Sequence, residues 1–283
     1  MRRLTVVVLA LSVGLSFAAC DIKTSANGDF SFGIAAGKAQ DTWSRTYKLG
    51  DKGRLELINV NGRITAQPTD GTELVVEGRR TAKASTDEAA KAMLEKLEIR
   101  EEASDASIRI ESRPPRLSGF SNHEIEWTIK VPKGIVLDLR TTNGGVRLEN
   151  LSNEIHAKTT NGGVKGEGLN PSTIEASAVN GGIELALSTP LEADDSIEME
   201  TVNGGVSLEL MADSKASIEA RCVNGGVRVD NLEIKKDQEE GSSDYERRRH
   251  LNGTMNGGGG KVRMSTTNGG VRLSQASAPK KTT

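Results

Sequence analysis

The tripeptide Asn-Gly-Gly begins at six positions in this 283-residue chain: 143, 161, 180, 203, 224 and 268. The spacings are 18, 19, 23, 21 and 44 residues, the last being two periods of 22. The flanks repeat with it, from LDLRTTNGGVRLEN at the first copy through IEMETVNGGVSLEL to VRMSTTNGGVRLSQ at the last. An earlier, relaxed copy, LELINVNGRITAQP, has Asn61-Gly62 followed by Arg63. A recurring period of this length marks a chain built from stacked, near-identical units. Each copy alternates apolar and polar residues with period two, which predicts a half-buried strand. Leu137/Leu139/Thr141, Ile155/Ala157/Thr159 and Ile197/Met199/Thr201 share one face before the Asn. Val146/Leu148 and Val206/Leu208 share it after the glycines. Equivalent residues are alike from copy to copy, as expected if each sits on its counterpart ~4.8 Å away. Cys222 fills a slot taken elsewhere by Thr or Ala and is expected to be a small buried residue.

The turn has its own chemistry. Gly-Gly supplies backbone angles that a Cβ forbids, and Asn tolerates the left-handed region and bonds to neighbouring backbone. Asn61, Asn143, Asn161, Asn180, Asn203, Asn224 and Asn268 therefore either make separate turns or stack as an amide ladder, as in cross-β assemblies. Asn-Gly between alternating strands is also the strongest short hairpin signal, so an antiparallel β-hairpin meander is the alternative architecture. A meander does not account for the same slots recurring in every copy, and stacking does. The predicted fold is all-β: a single-stranded β-solenoid (β-helix), one coil per copy.

Strand alternation extends upstream through Ile125, Trp127, Ile129 and Val131 to a Pro132-Lys133-Gly134 turn. One short helix is predicted near residues 86–98, within STDEAAKAMLEKLE, with Ser85 and Glu88 as a capping box and Met93, Leu94 and Leu97 as its apolar stripe. It is placed over the solenoid or across its N-terminal end, where a bare coil exposes core and strand edge. Residues 235–260 are charged and then glycine-rich, and read as a loop interrupting the solenoid domain of 42–274. Residues 275–283 form a polar tail read as disordered, and no C-terminal cap is evident.

The N-terminus reads as an address. Arg2 and Arg3 precede the apolar run Leu4–Leu15 and small residues ending in Ala18-Ala19-Cys20, the layout of a signal peptide over 1–19. The run is shorter than the ~20 residues of a membrane span. Phe17-Ala18-Ala19-Cys20 resembles a bacterial lipobox and points to lipidation at Cys20, hence to membrane attachment of an exported cell-envelope protein. Residues 20–41 are small and polar and read as a flexible tether.

LELINVNGRITA, the helix-containing excursion, WTIKVPKGIVLDLRTTNGGVRLENL and the later NGGV copies together resemble the bacterial DUF4097 family, whose members carry a conjectural adhesin label, and the related head-GIN domain proteins. The likeness runs over roughly residues 45–274. It implies a right-handed β-solenoid in an envelope protein, and no catalytic residues.

The composition agrees with a non-catalytic reading. The 37 Lys+Arg against 39 Asp+Glu exclude the strong basic excess of a nucleic-acid binder. Aromatic residues, at 3%, are too few for an aromatic-lined sugar cleft. His123-Glu124 opens like a zinc-protease helix, but Trp127 stands where the second His belongs. His156 falls on an outward face as a solvated residue. Gly257–Lys261 lacks the earlier Gly and the following Ser/Thr of a phosphate loop. No catalytic, metal or cofactor residues are assigned. The outward columns after the glycines are mainly basic (Arg147, Lys165, Arg228, Arg272) beside mainly acidic, and read either as a self-compensated surface or as a docking face for a charged envelope polymer or protein. The expected function is an adhesion-like or interaction scaffold. The alternatives are a polysaccharide-acting β-helix enzyme, for which only Asp194-Asp195 forms a close acidic pair, and a self-assembling element whose uncapped last coil pairs edge to edge.

Overall fold

The computed structural model describes residues 37–50, 52–114, 122–170, 172–237 and 248–276. The expected signal segment, Cys20 and residues 277–283 lie outside them. The first elements are β1 (Gly37–Tyr47), β2 (Arg54–Asn61), β3 (Ile64–Pro68), β4 (Leu74–Ala84), helix α1 (Asp87–Glu95), β5 (Glu98–Ala103), β6 (Ser107–Arg113) and β7 (Asn122–Val131). The repeats supply β8 (Val136–Asn143) and β9 (Val146–Glu149), β10 (Ile155–Asn161) and β11 (Val164–Leu169), β12 (Thr173–Asn180) and β13 (Ile183–Leu187), β14 (Ser196–Asn203) and β15 (Val206–Leu210), and β16 (Ala216–Asn224) and β17 (Val227–Asp230). The short β18 (Lys235–Lys236) and β19 (His250–Met255) precede the last copy, β20 (Gly260–Asn268) and β21 (Val271–Gln275).

Each copy bends at its Asn-Gly pair and gives one strand to each of two sheets. The strand before the Asn enters an eleven-stranded sheet, ordered β18-β19-β16-β20-β14-β12-β10-β8-β2-β6-β5. The strand after the glycines enters a ten-stranded sheet, ordered β1-β4-β7-β3-β9-β11-β13-β15-β21-β17. Pairing between copies is parallel and in register: Ile155 lies beside Leu137 and Ile174, and Asn161 beside Asn143 and Asn180. Parallel neighbours replace the hairpin alternative, because a meander pairs successive strands antiparallel. Alternation puts Leu137, Ile155, Ile174 and Ile197 in one buried column and Val146, Val164, Ile183 and Val206 in another. At Gly166 a Cβ would crowd the side chains of Leu169 and Leu185, which fill that column in its place.

The stacking order departs from the chain order at both ends. The first coil, β2–β3, lies between β6–β7 and β8–β9. The last, β20–β21, lies between β14–β15 and β16–β17. The 44-residue gap is therefore an out-of-order coil, not two periods of a regular stack.

Both ends differ from expectation in detail. β1 begins at Gly37 and pairs antiparallel with β4 along its whole length, so the expected tether over 20–41 has given way to sheet by residue 37. Helix α1 is capped by Thr86, whose Oγ1 accepts from Ala89 N at 3.2 Å, not by Ser85, so the Glu88 capping box does not form. Its Ala90, Met93 and Leu94 are buried against β1 and β4. Between the overhanging strands, Asp41 pairs with Arg80 and Arg45 Nε reaches Glu101 Oε2 at 3.2 Å. Inward-pointing charges of this kind blunt an edge against further pairing. At the far end β19 pairs antiparallel with β16 and β18 with β19. The region read as a loop over 235–260 thus supplies a cap that the sequence reading missed. Gln275 ends β21, and Ala276 N bonds Leu210 O at 2.8 Å, so the expected tail starts inside the fold.

Candidate functional site

The corner where every copy bends is one continuous hydrogen-bonded strip. Asn143 Nδ2 donates to Asn61 Oδ1 at 2.7 Å, Asn161 to Asn143 at 2.9 Å and Asn180 to Asn161 at 2.9 Å. Asn203 donates to Asn180 at 2.9 Å, Asn268 to Asn203 at 2.8 Å and Asn224 to Asn268 at 2.8 Å. The ladder follows the stacking order, not the chain order. The backbone runs in parallel with it: Gly144 N donates to Asn161 O and Gly181 N to Asn203 O, both at 2.9 Å.

The first glycine of each pair makes this approach possible. Gly144, Gly162, Gly225 and Gly269 have φ between +153° and +157°. A Cβ there would stand closer than 3.0 Å to the carbonyl of a neighbouring coil's first glycine. The second glycine is looser, and its room varies along the stack: a Cβ would meet the neighbouring carbonyl at 2.8 Å on Gly163, 3.2 Å on Gly182, 3.5 Å on Gly205 and 3.6 Å on Gly270. Arg63 occupies this second position in the relaxed copy.

One layer inward, side-chain hydroxyls lock several coils to a neighbour, while Ala178 fills the slot without a donor in the β12–β13 coil. Thr159 Oγ1 donates to Gly144 O, Thr201 to Gly181 O and Thr266 to Gly204 O, each at 2.8 Å. Cys222 Sγ reaches Gly269 O at 2.9 Å in the same role. Asn59 takes the slot in the first coil, donating to Gly62 O at 3.0 Å and Ile125 O at 3.1 Å while accepting from Ser112 Oγ at 3.0 Å. The Thr found two residues before the Asn at 141, 159, 201 and 266 is a sequence signal for this inner ladder, because a hydroxyl on a buried face requires a partner. Nothing in the local pattern pointed to Asn59 or Ser112.

The outward face of the ten-stranded sheet carries the four cations singled out above. Arg147 Nε bonds Glu149 at 2.6 Å and its Nη2 lies 3.5 Å from Glu167, while Lys165 Nζ lies 2.8 Å from Glu167. The hydrogen bond between them raises the Lys165 pKa and lowers that of Glu167. Arg228 and Arg272 share Asp230, at 3.0 and 2.8 Å. Stacking order places Glu184 and Ser207 between the two pairs. The structure therefore makes two cation clusters, and the one at β21–β17 has two guanidiniums on a single carboxylate.

The opposite face holds a groove of about 770 Å³ across β2, β8, β10, β12 and β14. Arg54, Arg140 and Lys158 line one side, and Glu175, Glu198 and Glu200 the other. His156 stands between them, with Nδ1 2.8 Å from Glu175 and Nε2 3.0 Å from Glu154. Burial opposes its protonation, but the two carboxylate hydrogen bonds and charges outweigh burial and raise its pKa. It is outward, as expected, but clamped and not merely solvated. Among the described residues no cluster of three or more His, Cys, Asp or Glu is placed to hold a metal ion. No described helix is long and apolar enough to cross a membrane.

These features define a stacked-coil β-protein whose corner is an amide ladder. Residues 135–274 match the family model described as Toastrack DUF4097, and through this stretch the chain belongs to that family. The chain is similar to a crystal structure titled "putative cell adhesion protein" from Clostridium sporogenes, at 14% identity and a TM-score of 0.48, over 84% of this chain and 100% of that one. It is similar to a "putative adhesin" from Bacteroides fragilis at 13% identity and a TM-score of 0.37, over 82% and 97% of the two chains. A "putative lipid binding protein" from Parabacteroides distasonis matches at 9% identity and a TM-score of 0.28, over 82% and 96%. Likenesses at this level carry nothing about activity or partners. No curated protein matches the chain.

Proposed function

We propose that this protein is a non-catalytic scaffold of the bacterial cell envelope, exported by residues 1–19, anchored by a lipid on Cys20, and presenting its right-handed coil stack to an envelope polymer or protein. The observation that carries this reading is the use of the repeated polar side chains. The Asn and Thr of successive coils bond to the coils on either side, an arrangement that builds a rod and leaves its charged faces as the surface offered to a partner. Right-handed winding agrees with the ~98% preference of parallel β-crossover-β connections. Attachment by acyl chains is consistent with the roughly 0.8 kcal/mol that each buried CH₂ contributes.

The β21–β17 end of the ten-stranded sheet is the favoured docking position, because Arg228 and Arg272 share one carboxylate and thereby offer cationic donors to an anionic partner. The test compares native envelope fractions retained by the intact lipidated protein and by the Arg228→Gln/Arg272→Gln variant. Retention is expected to fall in the variant and with rising salt. Equal retention by both proteins overturns the docking reading. Metabolic labelling with an alkyne fatty acid tests the anchor separately: label is expected on the wild type and lost in Cys20→Ser.

A further inference from the structure

The coil β20–β21 is held on both sides. β20 pairs with β14 from Ser196↔Lys261 to Asn203↔Asn268, and with β16 from Ala216↔Gly260 to Asn224↔Asn268. β21 pairs in the same way with β15 and β17. The wall formed by Ile197, Met199 and Thr201 is therefore separated from the wall formed by Ile218, Ala220 and Cys222 by Val262, Met264 and Thr266 of the insert. Each wall offers it what any coil offers its neighbour: a parallel strand edge, an Asn for the amide ladder, and a glycine carbonyl or sulfhydryl for the inner ladder. Thr266 Oγ1 bonds Gly204 O, and Gly269 O accepts from Cys222 Sγ.

The link entering this coil is unusual. Asn256, Gly257, Gly258 and Gly259 all have positive φ, at 50°, 87°, 83° and 154°. They carry the chain from β19 on one side of β16 to β20 on the other. The glycine run is thus a crossover. A Cβ on Gly260 would collide with Glu192 O. Glycine adopts extended angles as readily as these reversed ones, so the same link can run straight out from the fold. A coil that fills an internal slot through a hinge with two accessible conformations is the arrangement from which protomers exchange identical elements.

We propose that the slot between β14–β15 and β16–β17 is an acceptor site for a β20–β21 coil, and that a second copy of this chain supplies it, joining two molecules by reciprocal exchange. The partner is specified by chemistry. An occupant needs a first glycine without a Cβ against Gly204, an Asn amide in line with Asn203 and Asn224, and inward apolar residues two apart, and this chain's own coil has all three. Exchange makes the same contacts between molecules that the closed form makes within one, so concentration and hinge conformation set the balance. The inference goes beyond the envelope-scaffold reading and does not rest on it.

Two full-length chains test it, both carrying Cys20→Ser and Cys222→Thr. One also carries Glu200→Cys and the other Ser265→Cys, outward register partners across β14 and β20. They are unfolded together in denaturant, refolded at increasing concentration and oxidised. A disulfide-linked heterodimer is expected, with a yield that rises at least several-fold with concentration. A control mixture with Ser177→Cys and Glu200→Cys on separate chains, register partners on β12 and β14, is expected to stay unlinked. One chain carrying both Glu200→Cys and Ser265→Cys reports by internal linking that the variants fold. Absence of heterodimer when that chain links internally, or equal linking of the control mixture, overturns the proposal.

Discussion

Nδ2 of Asn61 stands 3.1 Å from Nε2 of His123, so an imidazole, not another amide, closes the ladder at its outermost N-terminal coil. Burial lowers the His123 pKa and favours the neutral ring, which accepts at Nε2 when its proton is on Nδ1. His156, on the opposite groove, is shifted the other way. The two histidines therefore act on stability with opposite signs.

For His123 the folded pKa lies below the unfolded one. Its stabilisation is present above the ordinary histidine pKa and is lost as pH falls towards the folded value. His123→Asn keeps an amide partner for Asn61 and removes the titration. The variant is expected to lose less stability than the wild type between pH 7 and pH 5, read as urea midpoints.

For His156 the folded pKa lies above the unfolded one. Its contribution is complete below the ordinary histidine pKa and disappears as pH rises through the raised value. Glu175→Gln is expected to lower the His156 titration midpoint in an NMR series and to flatten that fall in stability. An unchanged midpoint counts against the clamp.

The two glycines of a repeat are expected to respond unequally. Gly204→Ala drives a Cβ against the carbonyl of Gly181 and should cost about 3 kcal/mol or more in denaturant unfolding. Gly205→Ala meets its neighbour's carbonyl at an ordinary 3.5 Å and should cost about 1 kcal/mol or less.

Within the ladder, Asn180→Asp removes the donor to Asn161 Oδ1 while retaining an acceptor for Asn203. A loss of about 1–2 kcal/mol at neutral pH is expected. Part of it should return as acidification protonates the new carboxyl and restores a donor. Asn180→Ala should show the loss without the recovery.

Cys222→Thr restores the residue used at Thr159, Thr201 and Thr266 and is expected to be neutral or slightly stabilising. Burial raises the Cys222 thiol pKa, so native protein should react with a thiol reagent much more slowly than unfolded protein.

Much of the coil was legible because its residues recur. Ile197 and Val262 carry the same alternation, and the structure pairs them. The order of the coils was not legible for the same reason: Asn203, Asn224 and Asn268 sit in equivalent motifs, so local pattern cannot say which stacks on which. That order is set by the β19–β20 crossover around β16, made from glycines that read as a loop. β1 was missed because its alternating residues include Asp41 and Arg45, whose inward direction becomes visible only once Arg80 and Glu101 face them. The outward cations and the acidic column two residues on were both legible by position, and Glu149, Glu167 and Asp230 pair with the cation of their own strand. The contacts that cross between coils, Arg147 to Glu167 and Arg272 to Asp230, follow only from the stacking order.

The reversed order of the outer coils has a consequence for how the chain assembles as it is made. Coils from Asn143 to Asn203 can settle one upon another as each emerges. β2–β3 emerges first, yet both its neighbours, β6–β7 and β8–β9, are synthesised after it. β16–β17 must wait with one side unfilled until residue 275 has left the ribosome. The middle of the rod can therefore grow in the direction of synthesis, while its two ends close only after the fact.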